Sequence, residues 1–405
     1  MNEKKQYCGL DLLKFIMAVL VAARHMIQVF YPAESRWRLI IGSWLSNLAV
    51  PVFFIIAGFL LFRKIPDTDK KSGWPVVGRY AWRIVKLYLL WCVIYWPIDI
   101  FNWYHGTATI METLKAYVHS FFFSSTIAQL WYLPALAVAA LIVWTGYRAG
   151  LKIWMLLVLA GALFVFGCIC DNWYFTERAP MKIQEFVWWY APKFVTMRNG
   201  LFYGSFYLAL GLWFSRKTWC MPVLLSLGGS VLFLALMYKE VATCFNTNMV
   251  FTAAPAAVCL TELAMRLRGG YSRFFVTLRE MSEWVYFSHF YFFYFFSWTV
   301  KWNPLPLTKQ NITLCIFVHA AVCASCLNDV SSGKRKMAPK IYLGKTNEIT
   351  EIIKIKSLWE NSQGLFEKYE SVLAFVCKNL EFRLNQTVSL TLSLINDIDF
   401  FCFCV

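Results

Sequence analysis

The chain is poor in charge. Asp, Glu, Lys and Arg make up 15% of its 405 residues, against about 25% in soluble domains. That sets aside an ordinary soluble enzyme and places the chain in the membrane class, in keeping with 59% hydrophobic and 19% aromatic residues. The short motifs of the common catalytic folds are also missing. There is no HExxH, no Walker loop, no GxSxG and no Rossmann glycine pattern between a strand and a helix. The thirteen cysteines supply no paired CxxC motifs at zinc-site spacing. Cys168 and Cys170, Cys323 and Cys326, and Cys402 and Cys404 sit in or beside apolar runs and read as small hydrophobes. Neither a metal site nor a disulfide framework is expected. No basic groove with interleaved stacking aromatics is present, so the net charge of +16 does not read as nucleic-acid binding. The basic residues lie between apolar runs, where cytoplasmic loops of membrane proteins collect Lys and Arg.

What the chain does have is long apolar runs. A spanning helix needs about 20 largely apolar residues. Ten candidates fall near 9–31, 42–62, 84–104, 129–147, 151–170, 200–215, 219–238, 249–265, 284–300 and 311–328. The expected fold is therefore an all-α, polytopic membrane protein with about ten transmembrane helices in one bundle. The N-terminus is basic and then apolar, like a signal peptide. Its apolar run contains Lys14 and His25 and is followed by more spans, so it reads as a retained first helix. With the N-terminus in the cytoplasm, the inside loops hold more Lys and Arg than the longer outside loops. Trp37, Trp44, Trp188, Trp189 and Trp302 fall where membrane-interface anchors are expected. Residues 1–329 read as the membrane domain. Residues 330–405 are charged at first and end in a short apolar stretch; they read as a cytoplasmic tail, functional or aberrant. Repeats of three or five spans with matched broken segments, as in many transporters, are not apparent.

Four constellations carry the candidate chemistry. Lys14 and His25 lie eleven residues apart in GLDLLKFIMAVLVAARHMIQVF, which returns a helix to within about 20° of the same face some 16 Å further on. Ionisable groups in lipid usually face a bundle interior and mark a functional path. The plain alternative is a snorkelling Lys14 and a satisfied His25. Asp11, three residues before Lys14, is placed to pair with it, and His25 titrates near neutrality and is the candidate base. The second constellation is PVFFIIAGFLLFRK, where Gly58 admits a close helix neighbour, most simply for packing. The third is Arg79, Arg83 and Lys86, spaced along one face at the cytoplasmic entrance of the third span. Such a stripe suits phosphates or simply follows the positive-inside bias. The fourth is SEWVYFSHF, which brings Glu283 and His289 into an aromatic span as a second candidate site, or leaves His289 as a bundle hydrogen-bonder. His105 and His119 fall in the first long outside loop, and His319 in the last span.

GLDLLKFIMAVLVAARH resembles the first-helix signature of the acyltransferase 3 family of integral membrane acyltransferases. In that signature Leu-Asp precedes a basic residue, followed after ten residues by a histidine. Here these are Leu10, Asp11, Lys14 and His25, with Lys14 where Arg is more common. FFIIAGFLL is similar to a second-helix pattern that usually reads Phe-x-x-Ser-Gly-Phe; Ala57 replaces the Ser. GRYAWRIVKLY resembles the family's Arg-x-x-x-Arg segment. QLWYLPALAVAAL, MRNGLFYGSFYLALG and SEWVYFSHF resemble later segments in the same order, over residues 7–328. The resemblance implies a ten-helix enzyme of a bacterial plasma membrane with a cytoplasmic N-terminus. It would move an acyl group, often acetyl, from cytoplasmic acyl-coenzyme A to a hydroxyl of a surface or secreted glycan. His25 would be the base, Lys14 its catalytic partner, and Arg79, Arg83 and Lys86 the donor-binding cations. Acyl-coenzyme A would be a substrate rather than a resident cofactor, and membrane lipid and the acceptor would be the other partners. Some relatives are membrane halves of vancomycin-resistance serine racemases, linked to serine uptake. This leaves a transporter without acyl-transfer chemistry as the alternative.

Overall fold

The computed structural model describes residues 7–302, apart from 33, 68–72, 105, 245–246 and 268–272, with the backbone alone at 29–30, 173–175, 273, 292 and 295–302. The chain divides into two units, Met1–Asn328 and Asp329–Val405. The tail, the tenth expected span at 311–328, His105 and His319 lie outside the described residues, and so do the side chain of Trp302 and the cysteines beyond residue 302.

The described residues form helices joined by loops, with no strand among them. The helices are α1 (Cys8–Phe30), α2 (Ala49–Phe62), α3 (Gly73–Tyr104), α4 (Ile110–Phe123), α5 (Tyr132–Arg148), α6 (Ile153–Asp171), α7 (Trp173–Arg178), α8 (Met181–Phe194), α9 (Ser205–Arg216), α10 (Val223–Thr243), α11 (Ala253–Arg266) and α12 (Arg273–Trp302). A π turn, Arg38–Trp44, and a 3₁₀ turn, Leu45–Leu48, lead into α2. A second π turn, Gly200–Gly204, leads into α9.

Among the described residues, five helical stretches are long and apolar enough to cross a membrane: Arg38–Phe62, Gly73–Tyr104, Ile110–Arg148, Ile153–Asp171 and Val223–Thr243. The other expected spans in the described region are helices too, but of a different kind. Asp11, Lys14 and Arg24 interrupt α1. At 12 and 14 residues, α9 and α11 are short. The first half of α12 carries Arg279, Glu280 and Glu283. Of these four, α1 packs along α12 and α11, and α9 packs along α2.

α2 is apolar around its whole circumference, and eleven of its fourteen residues are buried, as expected of a helix enclosed on all sides. α10 is less apolar, buries only Ser226, Ser230, Met237 and Val241, and turns Leu224, Val231 and Leu232 outward. The seat of α9 on α2 is set by two glycines. A Cβ on Gly211 would lie 2.5 Å from the Ile55 carbonyl oxygen and 2.7 Å from the Gly58 Cα. A Cβ on Gly58 would lie 2.7 Å from the Leu208 carbonyl oxygen. The packing role expected for Gly58 is thus what the structure shows.

At the far end of α9, Lys217 forms a buried ion pair with Glu262 of α11, and Glu262 also accepts the Met221 N–H at 2.9 Å. Next to it, Arg216 pairs with Asp67 at 2.8 Å and donates to the Ile65 carbonyl at 2.7 Å, while the Tyr147 hydroxyl reaches Asp67 at 2.7 Å. Together these bonds tie the ends of α2, α5, α9 and α11.

Two helices occupy what the sequence reading leaves as outside loops. α4 starts at a full capping box, with Thr109 and Glu112 each holding the other's backbone N–H, and buries none of its residues. α8 buries Tyr190 alone and exposes Trp188 and Trp189. His119 joins the two helices, with Nε2 2.8 Å from the Lys193 carbonyl oxygen. Amphipathic helices of this kind suit a membrane surface. Trp44 differs from the expected anchor: its indole N–H donates to the Leu234 carbonyl at 2.9 Å and so ties the start of α2 to α10.

Gly211→Val should lower folded yield and thermal stability in detergent, by about 1–3 kcal/mol or more, because two backbones block relaxation. Gly228→Ala, where an added Cβ meets nothing within 4 Å, should leave the elution profile and melting temperature unchanged. Equal loss in both variants would show that the α2–α9 contact is not limiting.

Candidate active site

The packing of α1 along α12 brings two imidazoles together. The rings of His25 and His289 stack with centroids 5.3 Å apart and planes 23° apart. Phe290 meets both edge-on, 4.6 Å from His25 and 4.9 Å from His289. His289 is fully buried, and its Nδ1 lies 2.7 Å from the Tyr286 carbonyl oxygen and 3.2 Å from that of Val285. Facing acceptors only, Nδ1 carries the proton of the neutral ring, which leaves Nε2 as an acceptor. His25 is half-buried. His289, expected as either a second site or a bundle hydrogen-bonder, is both a hydrogen-bonded core residue and the neighbour of His25.

A layer of polar groups surrounds the imidazoles. Arg24 precedes His25 and donates through Nη1 to the Asn47 Oδ1 at 2.8 Å and the Ser46 Oγ at 3.4 Å. Asn47 is held in turn by the Ser43 carbonyl, at 2.6 Å from its Nδ2. Ser46 and Asn47 sit on the 3₁₀ turn that follows the π turn Arg38–Trp44. From the other side, Arg198 lays its guanidinium on the Trp131 ring, 4.5 Å from the centroid, and donates through Nη1 to the Asn248 Oδ1 at 3.2 Å. Asn199 follows it and caps the second π turn, accepting the N–H groups of Leu201 at 2.9 Å and Phe202 at 3.1 Å. π turns are rare and recur at functional sites; here both abut this layer. Arg24 and Arg198 lie within electrostatic reach of one another and of His25. Tyr286 closes the layer from α12, donating to the Gln129 carbonyl at 2.8 Å and meeting Phe53 and Tyr132 ring to ring.

The other expected site residues lie elsewhere. Lys14 pairs across the α1–α12 interface with Glu283 at 4.0 Å, with Asp11 also within electrostatic reach. It is half-buried, while the Glu283 side chain is 64% exposed. The helical rise puts Lys14 about 16 Å along α1 from His25. Arg79, Arg83 and Lys86 are all exposed on one stripe of α3. Arg83 lies over the Tyr80 ring and Lys86 over the Trp82 ring, each at 5.5 Å. Among the described residues no hydrogen bond, ion pair or ring contact joins this stripe to the imidazoles. Of the expected residues, then, the structure brings together His25 with His289, and Lys14 with Glu283.

Arg24 and Arg198 were missed in the sequence. Arg24 carried a signal, since an arginine in an apolar run merits the same attention as His25 beside it. Arg198 did not, because in a loop it is indistinguishable from a topology charge. The described residues contain no group of three or more His, Cys, Asp or Glu able to hold a metal ion.

A family model described as an acyltransferase domain, that of the acyltransferase 3 family, matches residues 8–327. The chain is 25% identical over 216 residues to an amino-acid racemase of Enterococcus faecalis, which covers 52% of this chain and 28% of that protein. It is 26% identical over 208 residues to a serine/alanine racemase of Enterococcus gallinarum, covering 50% of this chain and 28% of that protein. The chain thus spans under a third of the length of these relatives. No solved structure matches it.

Glu283→Gln should shift stability by less than about 1 kcal/mol, because a solvated ion pair at this separation contributes little. His289→Ala empties a fully buried position and should cost about 2–3 kcal/mol. Thermal melts of the two variants in one detergent check both values.

Proposed function

The chain belongs to the acyltransferase 3 family, and from that premise we propose that it is a membrane-embedded O-acyltransferase. In this reading it moves an acyl group, most simply acetyl, from cytoplasmic acyl-coenzyme A to a hydroxyl of a cell-surface or secreted glycan. It acts in the plasma membrane of a bacterium with its N-terminus in the cytoplasm. The stacking of His25 on His289 beside a polar layer inside an apolar bundle is the observation that carries the reading. The acceptor oxygen attacks the thioester carbonyl carbon while His25 takes the hydroxyl proton. The C–S bond then breaks, and the proton passes from the imidazole to the departing thiolate. Placing a base in this way contributes about 10²–10⁴ in rate. His289, whose proton is directed at backbone carbonyls, holds the His25 ring in place. Arg79, Arg83 and Lys86, together with Lys14, hold the phosphates of the donor.

A second reading is uptake of a small amino acid such as serine without acyl transfer; it is supported only by the names of the relatives, an amino-acid racemase and a serine/alanine racemase. Accumulation of radiolabelled serine in proteoliposomes, with no acyl transfer from acetyl-coenzyme A, would select it.

Transfer of radiolabelled acetyl from acetyl-coenzyme A to candidate glycans, by purified protein in detergent, tests the first reading. His25→Ala should lower kcat by about 10²–10⁴ with little change in donor affinity. Arg79→Ala and Arg83→Ala should raise the KM for the donor with kcat kept, as expected of uniform binding. Near-native transfer by His25→Ala would remove the base assignment. A collapsed kcat at unchanged KM in the arginine variants would remove the donor site.

A further inference from the structure

Arg24 and Arg198 are charged groups inside the bundle whose hydrogen-bond partners are all neutral. Each guanidinium donates to an asparagine amide oxygen, Asn47 at 2.8 Å and Asn248 at 3.2 Å, and Arg24 also reaches a serine hydroxyl. Neither forms an ion pair with a carboxylate among the described residues. The Nε of Arg198 is buried and makes no hydrogen bond. Buried charges are ordinarily paired with opposite charge, because desolvation costs several kcal/mol per ion. Here two like charges from separate elements, α1 and the turn before α9, lie within electrostatic reach of one another. Each is fixed from behind, by Asn47 and Ser46 in one case and by Asn248 and the Trp131 ring in the other. Such backing orients planar forks that match a bidentate oxyanion.

The charge balance narrows the ligand. Asp171, within electrostatic reach of Arg198 and holding the Thr196 hydroxyl at 3.4 Å, offsets one of the two positive charges. One positive charge remains, which a monoanion closes and a phosphate dianion overshoots. The cradle lies at the His25 end of α1, about 15 Å along the helix from Lys14, one of the cations assigned to the donor phosphates. A group held here belongs to the other substrate.

We propose that Arg24 and Arg198 form a monocarboxylate-binding cradle beside His25, so that the acceptor is an acidic, hydroxyl-bearing molecule such as a uronic acid or a hydroxy amino acid. The identification of this molecule as the acyl acceptor rests on the acyltransferase reading; the binding site itself does not.

Equilibrium dialysis and thermal melts of the full chain in detergent test the cradle without any acyl transfer. The probes are glucuronate against glucose, L-serine against its carboxylate-free analogue serinol, and inorganic phosphate. Wild-type protein should bind and be stabilised by at least one carboxylate and not by its neutral counterpart. Which carboxylate binds tells a sugar acid from an amino acid. Arg24→Gln and Arg198→Gln should weaken that binding at least about tenfold, the loss of one charge-assisted contact, with unchanged elution. Because the comparison of carboxylate with neutral analogue uses wild-type protein, it stands even if a variant misfolds. Equal binding of a carboxylate and its neutral analogue, no binding by either carboxylate, binding of phosphate alone, or full affinity in correctly folded Arg198→Gln would each overturn the proposal. Carboxylate binding without acetyl transfer would keep the cradle and remove the enzyme reading.

Discussion

The contact of Gly58 with Gly211 sets the depth at which α9 lies on α2, and the polar layer depends on it. With carbonyl oxygens and Cα atoms of the two helices meeting where a Cβ would go, α9 cannot roll or lift. The π turn at its start, and Asn199 and Arg198 just before that turn, are then held at a set distance from α2. The same helix presents Phe53 to Tyr286 and Phe54 to Tyr132 and Tyr203, so the aromatic floor beneath the imidazoles shares that reference. Two residues without side chains thus position groups that come from four separate elements.

Within this apolar interior, ionisable residues fall into distinct kinds according to what they face. Lys217 and Glu262 face each other, and the cation is also enclosed by Phe214 at 4.3 Å and Trp213 at 4.9 Å. Glu240 faces backbone, accepting the Phe251 N–H at 2.7 Å and the Thr252 N–H at 2.9 Å, and so closes the start of α11. Both arrangements complete themselves within the protein and need nothing further. Arg24 and Arg198 face amides and an aromatic ring, which orient a guanidinium without neutralising it. This difference in partners, rather than burial alone, separates groups that hold the fold from groups available to a ligand.

The helical class, most helix positions and the two histidines as candidates were legible in the sequence, because apolar runs and rare intramembrane charges are strong local signals; their pairing was not, since it exists only once α1 lies along α12. α4 escapes the sequence reading, in which the stretch is a loop; Thr109 and Glu112 stand at capping-box spacing before an amphipathic pattern, but the helix alone lacks the length that marks a span. The partner of Lys14 was not legible. Asp11 is near in sequence and Glu283 is near only once α1 lies along α12. The polar layer was hidden for the same reason: Arg24, Asn47, Arg198 and Asn248 come from four places in the chain, and no periodicity links them.

The two π turns also bear on how the chain tolerates change in length. A π turn holds one residue more than the α-helix it interrupts, so each behaves as a stored insertion. Deleting one residue from Arg38–Trp44 would let the segment relax into a plain helix, with its apolar character intact. The widened turn takes up the extra residue, so the helix on either side of the deletion would keep nearly the facing it has now. Trp44, which bonds to Leu234, and Asn47, which holds Arg24, lie at and beyond the end of the turn and would keep their partners. A descendant shortened by one residue here would therefore keep both its helix and this wall of the site, so the turn is a place where the chain can absorb a change of length without a change of chemistry.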